Sequence, residues 1–204
     1  MNVKSWVKIT PHDAIVAGKS VLASNDVAGQ KLLVEVYRKY VNNYPKFFKM
    51  DTLCKLGFIA SELLLNDIEG TERNSFDDRA VIMFNHSSSY NADCHFQQTI
   101  QDVDDFYPSP SVFVYTLPNI VTGEIAIRNK YFGETSFYVI DEPDARIMAQ
   151  VICNTLVGSG MKSALCGWVE CTCDDEFTAV VFLLDGDIDR ASFEEEIKSL
   201  FTEQ

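Results

Sequence analysis

Residues 117–170 constrain what this chain can fold into more than any other stretch. They read as a helix, a short apolar strand, a second helix and a second strand in succession. The first strand is Ser136-Phe-Tyr-Val-Ile140, and the second is Ser163-Ala-Leu-Cys-Gly-Trp-Val169. The helix between them opens at Asp141-Glu142-Pro143-Asp144. Strands that alternate with helices build an α/β fold on a mixed sheet. A strand that runs straight into a helix N-terminus also gathers backbone N–H groups and the positive end of the helix dipole, a common seat for a nucleophile or an anion.

The flanking sequence extends the same pattern. Arg79-Ala-Val-Ile-Met-Phe84 has too little polar alternation for a half-exposed strand and reads as buried on both faces. The loop Asn85-His-Ser-Ser-Ser89 follows its C-terminal end, where α/β folds gather functional groups. Phe177 to Leu184 is a further strand, closed by Asp185-Gly186-Asp187. Residues 3–24 mix β-like runs with turn residues and read as a first strand or hairpin. Helical spacing of apolar residues marks Lys31 to Val41 and the run after Asp51, a suitable N-cap. Residues 93–102 and 193–201 read as further helices, and Ser111 to Tyr115 is a short apolar run. No internal repeat or linker interrupts the 204 residues, which read as one domain over 1–204.

Charge narrows the function classes. The net charge is −13, and residues 170–204 hold eleven acids against Arg190 and Lys198. Nucleic-acid binding needs a basic footprint and is not expected. No apolar run approaches the roughly 20 residues of a membrane helix, and the N-terminus lacks the apolar core of a secretory signal. The six cysteines fit no disulfide framework and suit reduced, buried thiols, so a cytoplasmic location is expected.

Several side chains suggest chemistry in isolation. His86, Cys94 and His95 raise a metal site or a Cys–His pair, but adjacent helical residues point about 100° apart. Cys171-Thr-Cys173 puts two thiols on one face of a strand, with no second pair to complete a zinc site. His12 follows Thr10-Pro11 and reads as a turn residue. No metal or cofactor is expected.

Five short motifs in order carry a resemblance. They are Phe48-Lys49-Met50-Asp51 before a Leu/Ala-rich helix; Arg79 to Phe84 followed by His86-Ser-Ser-Ser; and Leu117-Pro118-Asn119 with Gly123 and Ile125-Ala-Ile127. Gly133 before Phe137-Tyr-Val-Ile and Ala164-Leu-Cys-Gly-Trp-Val-Glu170 complete the set. Together they resemble the N-terminal half of a β-ketoacyl synthase, within the thiolase-like fold, over residues 45–185. The resemblance implies a thiolase-like half, with a mixed, mostly parallel five-stranded sheet and helices on both faces. It implies a setting in fatty-acid, aryl-polyene or polyketide-type synthesis.

Two departures qualify it. The family's nucleophilic Cys lies nine residues after the Gly matched by Gly133, and ungapped counting from Gly133 or back from Glu170 lands on Glu142. The chain also ends before the family's C-terminal half, with its catalytic His residues, would begin. A carboxylate at a helix N-terminus is stabilised there, which makes it a poor base and a weak acyl acceptor. Residues 141–144 also read simply as good N-terminal helix residues, with Pro143 in the first turn. The expectation is a non-condensing, structural or partner subunit. It would act as a homodimer or as a heterodimer with a full-length ketosynthase, with an acyl carrier protein as a further partner. A sheet face left bare by the missing half would mark the interface. The alternative is an acyltransferase or decarboxylase acting on acyl-carrier-protein thioesters, completed by a partner chain.

Overall fold

The computed structural model describes residues 3–23, 27–71, 74–186 and 189–202. Ser24 of the N-terminal segment, Asp187 of the turn after the last strand and Glu203 of the acidic tail lie outside the described residues. The strands are β1 (Val3–Ile9), β2 (Asp13–Val16), β3 (Lys19–Ala23), β4 (Arg79–Asn85), β5 (Thr135–Val139), β6 (Ser163–Cys173) and β7 (Glu176–Asp185). The helices are α1 (Gln30–Tyr40), α2 (Thr52–Glu69), α3 (Tyr90–Gln98), α4 (Pro110–Phe113), α5 (Ile120–Asn129), α6 (Ala145–Ser159) and α7 (Arg190–Thr202).

The strands form one sheet in the order β3-β2-β1-β7-β6-β4-β5. This corrects the expected five-stranded, mostly parallel sheet. Among the described residues seven strands are present, and of these only β4 with β5 and β4 with β6 pair in parallel. The remaining pairings are antiparallel. Connection length explains the difference. β6 and β7 are joined by Asp174-Asp175 alone, and a two-residue link can only reverse the chain. The N-terminal segment is a second hairpin, whose turn places Ala17 and Gly18 at φ 46 and 78. It adds β2 and β3 beyond β1.

Helices cover both faces. One core cluster joins α1, α2 and α5 to one side of the sheet, and a second joins α6 and α7 to the other. β4 contributes to both: Val81 and Met83 face the first cluster, and Ala80, Ile82 and Phe84 the second. Its apolar run therefore lacks polar alternation because neither face meets water. No bare sheet face of the expected kind is found among the described residues. α7 closes it, with Phe193, Ile197 and Leu200 buried.

α2 is buried along Thr52–Leu65, which puts Glu62 and Lys55 in the interior. Glu62 pairs with Arg128 at 3.0 Å. At the base of β4, Arg79 pairs with Glu69 at 2.6 Å, receives the face of Phe76 at 3.8 Å, and donates to the Tyr131 and Ser163 hydroxyls. Asp51 caps α2 as its sequence predicts, accepting the Cys54 N–H at 3.0 Å. The apolar run 111–115 is helical: Ser109 caps α4 from the N-terminal side and Pro110 occupies its first turn, after which a 3₁₀ turn spans Val114–Thr116. α3 begins three residues before the expected start at Asp93 and ends at Gln98.

Candidate functional site

The C-terminal ends of β4 and β5 lie side by side, Asn85 opposite Val139. Ile140 donates its N–H to the Asn85 carbonyl at 2.9 Å, so the loop after β5 starts against the loop after β4. Asn85 folds its own loop. Its side-chain amide donates to the Ser88 carbonyl at 2.7 Å and its oxygen accepts the Ser88 N–H at 3.0 Å, with Ser88 at φ 53. Asn is suited to such a turn because its short amide imitates backbone.

This turn points N–H groups outward, as an anion site would. Glu170 fills it. Its carboxylate accepts the His86 N–H at 2.7 Å, the Ser87 N–H at 3.3 Å and the Ser87 hydroxyl. Two of the quoted motifs, the Ser-rich loop and the strand ending in Glu170, thus meet in one charge-assisted cluster. His86 contributes its backbone, while its ring is exposed.

Glu142 is exposed in the loop between β5 and α6. α6 starts later than its sequence suggests: Asp144 is the N-cap, accepting the Ile147 N–H at 3.0 Å, and Pro143 precedes it rather than sitting in the first turn. Glu142 is two residues before the cap and contributes its backbone oxygen, which accepts the Asp144 N–H at 2.7 Å. Among the described residues its carboxylate has no hydrogen-bond or ion-pair partner. The dipole of α6 therefore acts on Asp144.

The other candidates are dispersed. No hydrogen bond joins His86 to Cys94 among the described residues. Cys94 lies beside the Tyr90 hydroxyl, pushing that phenol up from its ordinary value. Cys171 and Cys173 do not share a face, because a register shift between them buries Cys171 and turns Cys173 to solvent. Burial pushes the Cys171 thiol up, so it stays protonated. No group of three His, Cys, Asp or Glu side chains converges among the described residues. His12 sits in the turn before β2, its N–H donating to the Thr10 hydroxyl at 3.4 Å.

Sequence reasoning missed a second polar centre. Asp174, in the β6–β7 turn, accepts the Thr52 hydroxyl at 2.5 Å and the Asn91 amide at 2.9 Å, and lies 3.7 Å from His95 Nε2. Gln30 donates to the Thr52 hydroxyl at 2.7 Å and its N–H reaches the Asp174 carbonyl at 3.1 Å. One residue thus ties together α1, α2, α3 and the hairpin. It forms one wall of a cleft of about 580 Å³ that Met50, Val112 and Tyr115 also line. Burial pushes the Tyr115 phenol up to about 12, so it remains neutral. Burial pulls Lys55, on α2, down from its ordinary value, against the charges of Asp174 and Asp51. In the sequence Asp174 is one more acid of a charged tail, and only its place in a two-residue turn marks it.

Comparison with known proteins gives a fold. No family model matches the chain, and no curated protein matches it in sequence. Solved structures do. The ishigamide ketosynthase/chain length factor superposes with a TM-score of 0.64 at 16% identity, over 90% of this chain and 61% of that one. A ketosynthase in complex with its chain length factor from Xenorhabdus doucetiae gives 0.58 at 14% identity, over 100% of this chain and 93% of the matched chain. A type II polyketide synthase acyl-carrier protein in complex with its ketosynthase gives 0.55 at 13%, over 96% of this chain and 64% of that one. The chain therefore spans less than two thirds of the first and third of these, and nearly the whole of the second. Among the described residues no helix is long and apolar enough to cross a membrane. At these identities the likeness speaks for architecture alone: the chain has a ketosynthase-like fold.

Proposed function

We propose that this chain is a ketosynthase-like partner protein without condensing activity of its own, corresponding to the N-terminal half of a β-ketoacyl synthase. It assembles with a full-length ketosynthase in polyketide- or fatty-acid-type synthesis. The observation that carries the reading is the loop from Ile140 to Asp144. It occupies the strand-to-helix junction where the resemblance puts a nucleophile, and it holds Ile, Asp, Glu, Pro and Asp. Glu142, at the counted position, is exposed, and among the described residues no side chain pairs with its carboxylate. A carboxylate without a donor or base beside it neither takes an acyl group nor polarises a thioester.

Two features support a partner. Chains of similar fold occur in complexes of a ketosynthase with its chain length factor or an acyl-carrier protein, one of them matched over nearly its whole length. β5 is also the last strand of the sheet, and no strand among the described residues pairs with its outer edge. An unpaired edge is a template for a further strand, and in the family this strand meets its counterpart across a dimer interface. The resulting dimer continues the sheet through β5.

The test mixes the chain with a full-length ketosynthase and with acyl- and malonyl-carrier protein. Size-exclusion chromatography with light scattering reads assembly, and intact mass and CO₂ release read chemistry. The expected result is a heterodimer and no adduct on this chain. An adduct on this chain, or CO₂ release, that disappears in Glu142→Ala or in a Cys→Ser variant would establish the decarboxylase or acyltransferase alternative. A clean monomer in every mixture would remove the partner role.

A further inference from the structure

Among the described residues, six of the fourteen exposed large apolar side chains fall within residues 103–117. Val103, Phe106, Tyr107, Phe113, Val114 and Leu117 are all exposed, Val103 to 93% and Tyr107 to 77%. Both halves of the segment are anchored to the rest of the protein. The Tyr107 N–H donates to the Thr99 carbonyl at 3.0 Å, Ser89 Oγ donates to the Thr116 carbonyl at 2.7 Å, and the Phe113 ring packs 5.1 Å from Phe96. Apolar groups held in water by a packed frame mark an interaction surface.

Charge identifies what fits there. Residues 90–119 contain Asp93, Asp102, Asp104 and Asp105 and no Lys or Arg. All four Asp residues are exposed. We propose that this apolar, acidic face docks a partner protein whose own face sets Lys or Arg around an apolar centre, and does not pair with a second copy of itself. In a two-fold dimer the same patch meets itself, which would set these aspartates against their own copies. The net charge of −13 adds repulsion at longer range. Phosphate-bearing surfaces, whether nucleic acid or anionic lipid, are repelled by the same charges. A basic protein face gains from them in both orientation and association rate. The inference rests on this face alone and not on the reading above.

A helical Leu/Lys peptide of about 14 residues, which sets an apolar stripe between cations, serves as the probe, with its Leu/Glu counterpart as control. Residue-resolved NMR titration of the whole chain locates binding. The expected result is amide shifts confined to residues 102–117 and affinity at least about tenfold above the Leu/Glu peptide. The exposed double variant F106S/Y107S and the triple variant D102K/D104K/D105K should each lose about tenfold while keeping the native spectrum elsewhere. Shifts centred on the glutamates of α7, equal binding of both peptides, no binding at millimolar peptide, or unchanged affinity in the variants would each overturn it. So would a homodimer, seen by sedimentation, that F106S/Y107S dissociates.

Discussion

Asp144 accepts the Ile147 N–H at 3.0 Å, so the carboxylate that caps α6 is two residues beyond Glu142. The two acids are separated only by Pro143 and are opposite in consequence. Removing an N-cap leaves a helix donor without a partner and costs about 1 kcal/mol. Asp144→Ala should therefore lower stability by about 1 kcal/mol in urea unfolding, whereas Glu142→Ala should stay within about 0.5 kcal/mol of the parent. A larger loss in Glu142→Ala would mean that its carboxylate has a structural partner.

Arg79 and Glu69 form an ion pair at 2.6 Å, with side chains only 6% and 13% exposed. Its worth lies in the penalty for breaking it. Arg79→Met strands the Glu69 carboxylate in the interior and should cost about 3–5 kcal/mol. The double variant R79M/E69L removes both charges and should recover most of that loss. Equal losses in the single and double variants would show that Arg79 acts through packing on Phe76.

Asp174 and Asp51 should give the stability–pH curve opposing slopes. Burial pushes Asp174 up, but the hydrogen bonds of Thr52 and Asn91 and the charges of His95 and Lys55 outweigh it and hold the carboxyl below its usual range. With the folded pKa below the unfolded one, its stabilisation is present above the ordinary carboxylate value of about 4 and is lost as pH falls through the folded value. Asp51 is the reverse: burial raises it, so its charge costs stability at neutral pH and that cost fades as pH falls. Asp174→Asn should remove part of the acid loss and cost about 1 kcal/mol at pH 7. Asp51→Asn, which keeps a capping side chain, should lose little at pH 7 and flatten the opposing slope. Denaturant midpoints measured from acid to neutral pH separate the two.

Legibility followed the locality of the cause. The buried strand β4, the N-cap Asp51 and the order of helices and strands were all readable, because periodicity and capping are written in neighbouring residues. Strand direction was readable in principle at Asp174-Asp175, where two residues allow only a hairpin. The ketosynthase resemblance implies parallel crossovers instead. Gly133 shows how a motif acquires a reason only in three dimensions. A Cβ there would lie 2.3 Å from the Arg79 carbonyl oxygen, so the backbone before β5 and the start of β4 approach too closely for a side chain. The Glu170 cluster and the Asp174 centre each join segments more than 80 residues apart, and no local pattern encodes such a pairing.

The last helix supplies the final test. The ketosynthase resemblance implied a bare sheet face, yet α7 lies across that face, with Phe193 fully buried and its ring 6.3 Å from that of Phe182. Glu196 also accepts the Val3 N–H at 2.9 Å, which binds α7 to the first strand. Because α7 covers that face, its contacts should carry much of the stability of the sheet. Phe193→Ala should cost about 3–5 kcal/mol, as deletion of a buried aromatic does. Truncation before Arg190 should expose Phe182 and Leu184 and drive association, visible by light scattering. A truncated chain that stays monomeric and unfolds at the parent's urea midpoint would show that the sheet needs no such cover.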